Sequence, residues 1–223
     1  MFIHLNEIQP IELKTIEGSK GRHYITPEGA QYPSITTILG SEEKPYLKSW
    51  RNSLGEVKAN KEMARAADRG SAVHLMVERF LNNDPNPTLG QHLDHIGEFN
   101  SLRLHLKKIN NISTQETALW SDTLHIAGRV DCVAEFQGKL SIIDFKTSTN
   151  NKTESMVFDY WLQTAFYALA YQERYGVQID DLVIIMSVER GAVPLIFKQK
   201  IDDYIEPLLN RIHKYHTTVG MKK

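Results

Sequence analysis

The stretch GRVDCVAEFQGKLSIIDFKTS, residues 128–148, decides how this chain is read. Two strand-like runs flank Gln137-Gly138, and a glycine between two such runs predicts a tight hairpin turn. A two-residue loop pairs Phe136 with Lys139, and a four-residue loop closing at Glu135 and Leu140 keeps the same register. Either loop sets Asp131 directly opposite Asp144, with Cβ atoms roughly 4.5–5.5 Å apart. Alternation puts Lys146 on that face, roughly 6.6 Å beyond Asp144, with Arg129 opposite it. Val133 and Ile142 continue the face as an apolar floor. Val130, Cys132, Phe136, Ile143 and Phe145 fall on the other face as core material.

Two carboxylates and a lysine therefore converge beyond an apolar floor. Like charges directly opposite destabilise a hairpin unless something neutralises them. A bound divalent cation does this, and hard oxygen ligands suit Mg²⁺ or Mn²⁺ rather than zinc. A solvent-exposed hairpin end closed by an Asp–Lys or Asp–Arg salt bridge fits the same residues. The hairpin alone leaves both readings open.

Outward from the hairpin, residues 112–120, 126–136 and 140–146 predict strands, and 156–175 a helix. Residues 182–188 and 193–198 predict two more strands, and 201–217 a closing helix. Upstream, Pro33-Ser34 predicts a helix start before Ile35. Residues 45–82 read as helical with breaks near Gly55 and Gly70, and 88–109 as a second helical stretch. The first 30 or so residues are poorly periodic, with glycine and proline turn signals. Helices, three strands, helix, two strands, helix make an α/β fold with a mixed sheet and an N-terminal helical layer.

Composition narrows the class. The 223 residues are 41% hydrophobic and 24% charged, ordinary globular values that exclude whole-chain disorder and fibrous repeats. No apolar run reaches the ~18 residues of a membrane span. The one cysteine, Cys132, excludes an internal disulfide and any multi-cysteine zinc or iron–sulfur site. No signal or transit peptide is evident, so the cytoplasm is expected. Net charge is −1, which gives no global attraction to a polyanion. Locally, residues 44–70 hold seven basic side chains against three acidic ones, a net +4 that reads as a solvated helix face unless a phosphate-handling site lies nearby.

Two helical pairs complete the candidate set. Gly70, His74 and Glu78 share one helix face beside an apolar stripe, and Gln163 and Tyr167 are i, i+4 neighbours. Taken alone, His74 reads as a boundary residue and Gln163 and Tyr167 as a polar edge of the core.

GRVD at 128–131, IIDFKTS at 142–148 and the Q-x-x-x-Y pair Gln163 and Tyr167 resemble the PD-(D/E)XK nuclease superfamily, RecB-type branch. Asp131 matches the first acid of the motif, and Asp144-Phe145-Lys146 matches its (D/E)-x-K element with aspartate as second acid. YPSITTIL at 32–39 and RGSAVHLMVERFL at 69–81 resemble the mitochondrial genome maintenance exonuclease group of that superfamily and its phage and bacterial relatives. The resemblance runs from about residue 32 to about residue 188. The related iron–sulfur branch needs four cysteines, which this chain lacks.

The resemblance implies a restriction-endonuclease-like core, a mixed central sheet flanked by helices, in a single domain over 1–223. Residues 1–85 would be the N-terminal segment and helical cap, and 86–223 the catalytic core. It implies catalytic roles for Asp131, Asp144, Lys146, Gln163 and Tyr167. Metal ligation falls to His74, Asp131, Asp144 and the Phe145 carbonyl, with Glu78 as a further ligand or as the group orienting His74. Arg69, Ser71, Arg129, Thr147, Ser148 and Trp161 are expected to contact substrate, with Tyr160, Trp50 and Tyr46 as further stacking candidates. Burial of Lys146 beside cations would lower its pKa if it serves as a base. A lysine that stays protonated would act by electrostatics alone.

The implied activity is a Mg²⁺- or Mn²⁺-dependent DNA exonuclease acting on single strands or flaps with a free end, in DNA repair, replication or recombination. No nucleotide cofactor and no membrane partner are expected. A duplex exonuclease or structure-specific endonuclease of the same superfamily is the alternative. A non-catalytic DNA-binding module is the alternative from another class.

Overall fold

The computed structural model describes residues 1–5, 8–19, 21–42, 44–190 and 193–220. A five-stranded sheet runs in the order β4 (Ile109–Ser121), β5 (Ile126–Phe136), β6 (Lys139–Ser148), β7 (Asp181–Val188), β8 (Leu195–Lys200). Its neighbours are antiparallel except β6 and β7, which are parallel and joined through helix α5 (Phe158–Tyr175). Parallel neighbours require such a crossover. The sheet is therefore mixed, as the strand and helix order predicts, and flanked by helices. No helix among the described residues is long and apolar enough to cross a membrane.

The β5–β6 turn is made by Gln137 and Gly138, both at positive φ (53° and 79°). Two left-handed residues match the twist of the strands they join. The register is the expected one, from Phe136 opposite Lys139 to Cys132 opposite Ile143.

Each sheet face buries a separate core. On one, α1 (Ile35–Gly40), α5 and α6 (Asp202–Gly220) cover Val133, Ile142, Leu182 and Ile184. Ser34 caps α1, accepting the Thr37 N–H at 2.9 Å. On the other, α3 (Glu56–Leu81) and α4 (Leu93–Leu106) cover Cys132, Ile143, Phe145 and Ile185. Val130 packs with Val133 and Ile142 rather than with Cys132 as alternation predicts. The strand changes phase between residues 130 and 133, at Asp131.

Three other expectations change. The helical stretch breaks at Gly55 (φ 80°), between α2 (Pro45–Leu54) and α3, but runs straight through Gly70. A glycine inside a helix costs about 1 kcal/mol. Burial of Val73, Met76, Val77 and Leu81 just beyond it outweighs that. The second helix starts at Leu93, not residue 88, because residues 88–90 form a turn that ends at Gly90 (φ 78°). The unperiodic N-terminus holds a small antiparallel sheet of β1 (Lys14–Gly18), β2 (Gly21–Ile25) and β3 (Gln31–Pro33). All of β1 is exposed, so it carries no alternation to read.

Gly128 matters for the site. A Cβ there would lie 2.8 Å from Tyr167 Cε1, 3.0 Å from its hydroxyl and 3.2 Å from Ile35 Cγ2. The bare backbone lets the Tyr167 ring press against β5. We expect Gly128→Ala to lower the urea midpoint by roughly 1–3 kcal/mol of stability with the m-value unchanged, because Tyr167 is buried and has little room to retreat. A midpoint equal to the parent protein would mean that α5 yields at no cost.

Candidate active site

The ladder between β5 and β6 does not continue past Cys132 and Ile143. Beyond that pair the Phe145 N–H donates to Asp131 Oδ2 at 2.8 Å. A side-chain carboxylate replaces the backbone acceptor, and the strands part. On the other side of β5, the β4 ladder pairs Gln115 with Cys132 and Thr117 with Val130, leaving Glu116 facing the Asp131 position. Glu116 has φ 47°. Left-handed backbone costs a non-glycine residue about 1–3 kcal/mol, and such strain clusters at functional sites.

Asp144 is 1% exposed. Its Oδ2 meets the Lys146 ammonium as an ion pair, and Oδ1 has no hydrogen-bond partner among the described residues. Burial raises the Asp144 carboxyl to about 6; Lys146 opposes this and Asp131 adds to it. Burial pulls the Lys146 ammonium down, but Asp144 and Asp131 outweigh it and its pKa rises. Asp144 and Asp131, the carboxylates beside it, hold Lys146 in its charged form. The Tyr160 ring centroid lies 5.0 Å from Nζ, which favours the charged form further.

Across the cleft, His74 Nδ1 stands 3.6 Å from Asp131 Oδ2. One donor atom each from His74, Glu116 and Asp131 lie within 4.8 Å of one another. Burial raises the Glu116 carboxyl to about 7; Asp131 adds to this and Arg129, 2.9 Å away, opposes it. Glu78 lines the same cleft, which has a volume of about 530 Å³. Gln163 and Tyr167 close its floor, the Gln163 amide donating to the Tyr167 hydroxyl at 3.2 Å. Arg22 and Tyr24 of β2 form the outer wall.

This donor set fits a hard divalent cation. Asp144 Oδ1 lies buried with no hydrogen-bond partner among the described residues, and burial raises the Asp144 and Glu116 carboxyls, so a cation here would stabilise their charged forms. His74, Asp131 and Glu116 supply one imidazole and two carboxylates. Asp144 is a further carboxylate, buried behind the cleft and ion-paired to Lys146, which lines it. The Phe145 carbonyl lies on β6 between Asp144 and Lys146, while its ring packs edge-on to His74 with centroids 6.3 Å apart.

Glu116 is absent from the sequence-based candidates. TQET carries no motif, and only the β4–β5 register brings Glu116 to Asp131. Other expected residues are placed differently. Arg69 is 3% exposed and ion-paired to Glu98 and Glu189, so it ties α3 to α4 and β7 rather than meeting substrate. The Ser148 hydroxyl donates to Asn150 O at 2.7 Å within the turn after β6. Trp161 is fully buried, stacked near Tyr204, with its N–H donated to Glu154, and offers no free face. Thr147 abuts Gly70 beside the cleft. Ser71 and Arg129 line it.

Residues 98–188 match the profile described as the PD-(D/E)XK nuclease superfamily. The mixed sheet and the GRVD and DFK elements lie within or beside this matched segment, which is similar to that superfamily. The chain is also 29% identical over 171 residues to mitochondrial genome maintenance exonuclease 1 of Mus musculus, covering 72% of this chain and 51% of that protein. The Homo sapiens protein of the same name is 29% identical over 174 residues, covering 72% and 50%. The chain thus spans about half the length of the curated relatives it matches. A crystal structure of a Eubacterium rectale protein aligns with a TM-score of 0.44 at 13% identity, over 66% of this chain and 63% of its own.

Cation binding must displace the protons held by Glu116 and Asp144. Both carboxyls sit above the ordinary carboxylate range, so protons compete with the cation as pH falls through about 7 and then about 6. We expect Mn²⁺ affinity, measured by calorimetry, to weaken at least roughly tenfold from about pH 8 to about pH 5, with proton release on binding. Glu116→Gln should flatten the upper part of this dependence. A pH-independent affinity would remove both carboxylates from the site.

Proposed function

We propose that the protein is a divalent-metal-dependent DNA exonuclease that hydrolyses phosphodiester bonds of single strands or flaps from a free end. One observation carries this reading. Asp131, Glu116 and His74 converge on one point of a cleft, beside the buried Asp144–Lys146 pair. Both the names of the relatives and the superfamily that residues 98–188 match agree with it.

His74, Asp131 and Asp144 would hold Mg²⁺ or Mn²⁺, with Glu116 as an added carboxylate and Glu78 near His74. When bound, the cation neutralises phosphate charge and lowers the pKa of water. Lys146 stays protonated and presents its ammonium to the charge that grows on the phosphoryl oxygens. Its contact with Asp144 fixes where that charge is met. Gln163 and Tyr167 hold an amide and a hydroxyl on the cleft floor, in reach of the attacked phosphate or its water. Ser71 and Arg129 flank the backbone, and Thr147 borders it. The segment 1–85 acts as a cap over the catalytic core 86–223.

The test is cleavage of end-labelled strands with and without EDTA. The expected result is a ladder from one end, abolished by EDTA, with circular single strands left intact. Cleavage of the circle would make the enzyme an endonuclease, and a duplex-only ladder would change the substrate class. Asp144→Ala and Lys146→Ala should each lower the rate by at least roughly a hundredfold while the protein stays folded. Turnover at the parental rate in either variant would overturn the assignment.

A further inference from the structure

We propose that the groove between α2 and α3 is a base-binding subsite for single-stranded polynucleotide, with Tyr46 and Trp50 as its stacking faces. The proposal rests on the nuclease reading and adds where the strand runs.

Helix α2 carries Leu47, Trp50 and Leu54 at spacings of three and four, one apolar face, yet none of its ten residues is buried. Tyr46 is 68% exposed. That face looks into a groove of about 860 Å³, closed opposite by Met63 and Ala66 of α3 and by Thr149 and Asn150 after β6. Lys152 and Arg190 line it as cations, beside Arg65, which is ion-paired to the lining residues Glu62 and Glu189. Aromatic faces with the cations Lys152 and Arg190 beside them match a strand whose bases stack inward and whose phosphates face out.

One face of α3 runs from the groove to the cleft. Met63, Ala66, Gly70, His74 and Glu78 follow one face of α3 at spacings of three and four. The first two line the groove and the last three the cleft. One helix face thus spans both over about 22 Å, room for the ~4 nucleotides at the low end of single-strand site sizes. At the junction, Lys44 pairs with Asp159 at 2.8 Å and fastens the start of α2 to α5. Tyr160, the next residue, has its ring centroid 5.0 Å from the Lys146 ammonium. Lys44 at the start of α2 and Lys146 in the cleft are thus tied to neighbouring residues of α5.

Of the three tryptophans, Trp161 is fully buried and Trp120 is 4% exposed, so Trp50 reports on the groove. The full chain is titrated with an oligothymidylate of about ten nucleotides, with Ca²⁺ replacing Mg²⁺ to hold the strand without turnover. Fluorescence anisotropy of the labelled strand follows binding, and tryptophan emission follows the groove. Saturable quenching is expected with the oligothymidylate but not with an abasic strand of equal length or a blunt duplex. Trp50→Phe should abolish the quenching. Tyr46→Ala and Trp50→Ala should each weaken binding roughly tenfold at an unchanged melting temperature. Binding without quenching, or equal quenching by abasic strand or duplex, overturns the subsite. If end-labelled strands are still cut, the nuclease reading survives that result. Absence of binding together with absence of cleavage overturns both.

Discussion

The site depends on one exchange of hydrogen-bond partners: the Phe145 N–H is taken by the Asp131 carboxylate. A sheet ladder that ran on would cover that N–H with a backbone carbonyl and press β5 against β6. The carboxylate instead wedges the two strands apart at their far end. Two consequences follow. Asp131 is anchored through one oxygen, so the direction of the other is set by the backbone of β6. The parting of the strands also opens space into which His74 from α3 and Glu116 from β4 reach. The hairpin below is held by its left-handed turn and by the apolar pairs Cys132–Ile143 and Val133–Ile142, so it can bear this local loss of pairing.

The wedge creates an electrostatic problem that its surroundings only partly relieve. Four acidic side chains, Glu78, Glu116, Asp131 and Asp144, act on one another across the cleft. Lys146 answers one of them and Arg129 another. Asp144 still keeps an oxygen with no hydrogen-bond partner, deep enough that leaving a charged oxygen there is costly. An arrangement of this kind is unstable as an end in itself. It becomes reasonable when a cation completes it, and the strained φ of Glu116 points the same way.

How much of this was legible in the sequence follows from the range of each interaction. The hairpin register is readable from the turn to Cys132 opposite Ile143, because a glycine-containing turn fixes it within a few residues. The next expected pair, Asp131 with Asp144, is not a ladder pair, since the ladder stops there. The phase change at Asp131 was not readable, since it arises from a side chain displacing a backbone acceptor, and Val130 was assigned to the wrong core. Glu116 was invisible for a related reason: its place depends on the register of a second strand pair joined by a longer loop. Arg69 and Trp161 looked available because their chemistry suits nucleic acid. Burial decides otherwise, and burial is a property of tertiary packing. The N-terminal sheet left no trace because β1 is exposed on both faces.

The chain's near-neutral charge and its proposed polyanionic substrate are reconciled by the arrangement of charge rather than its sum. A cleft lined by acids repels phosphate, and part of the basic excess of the helical layer beside it is taken up by ion pairs, Lys44 with Asp159, Arg65 with Glu189 and Arg69 with Glu98 and Glu189. A strand would be turned away from the carboxylates until their charge is offset. Divalent cations held there would provide that offset and reverse the sign of the field at the one point where the backbone has to approach closely. Placing the lysine of the motif against the deepest carboxylate keeps its charge fixed through this reversal. Positive charge then stands at the reacting phosphate on one side from Lys146 and on the other from whatever His74, Asp131 and Glu116 hold.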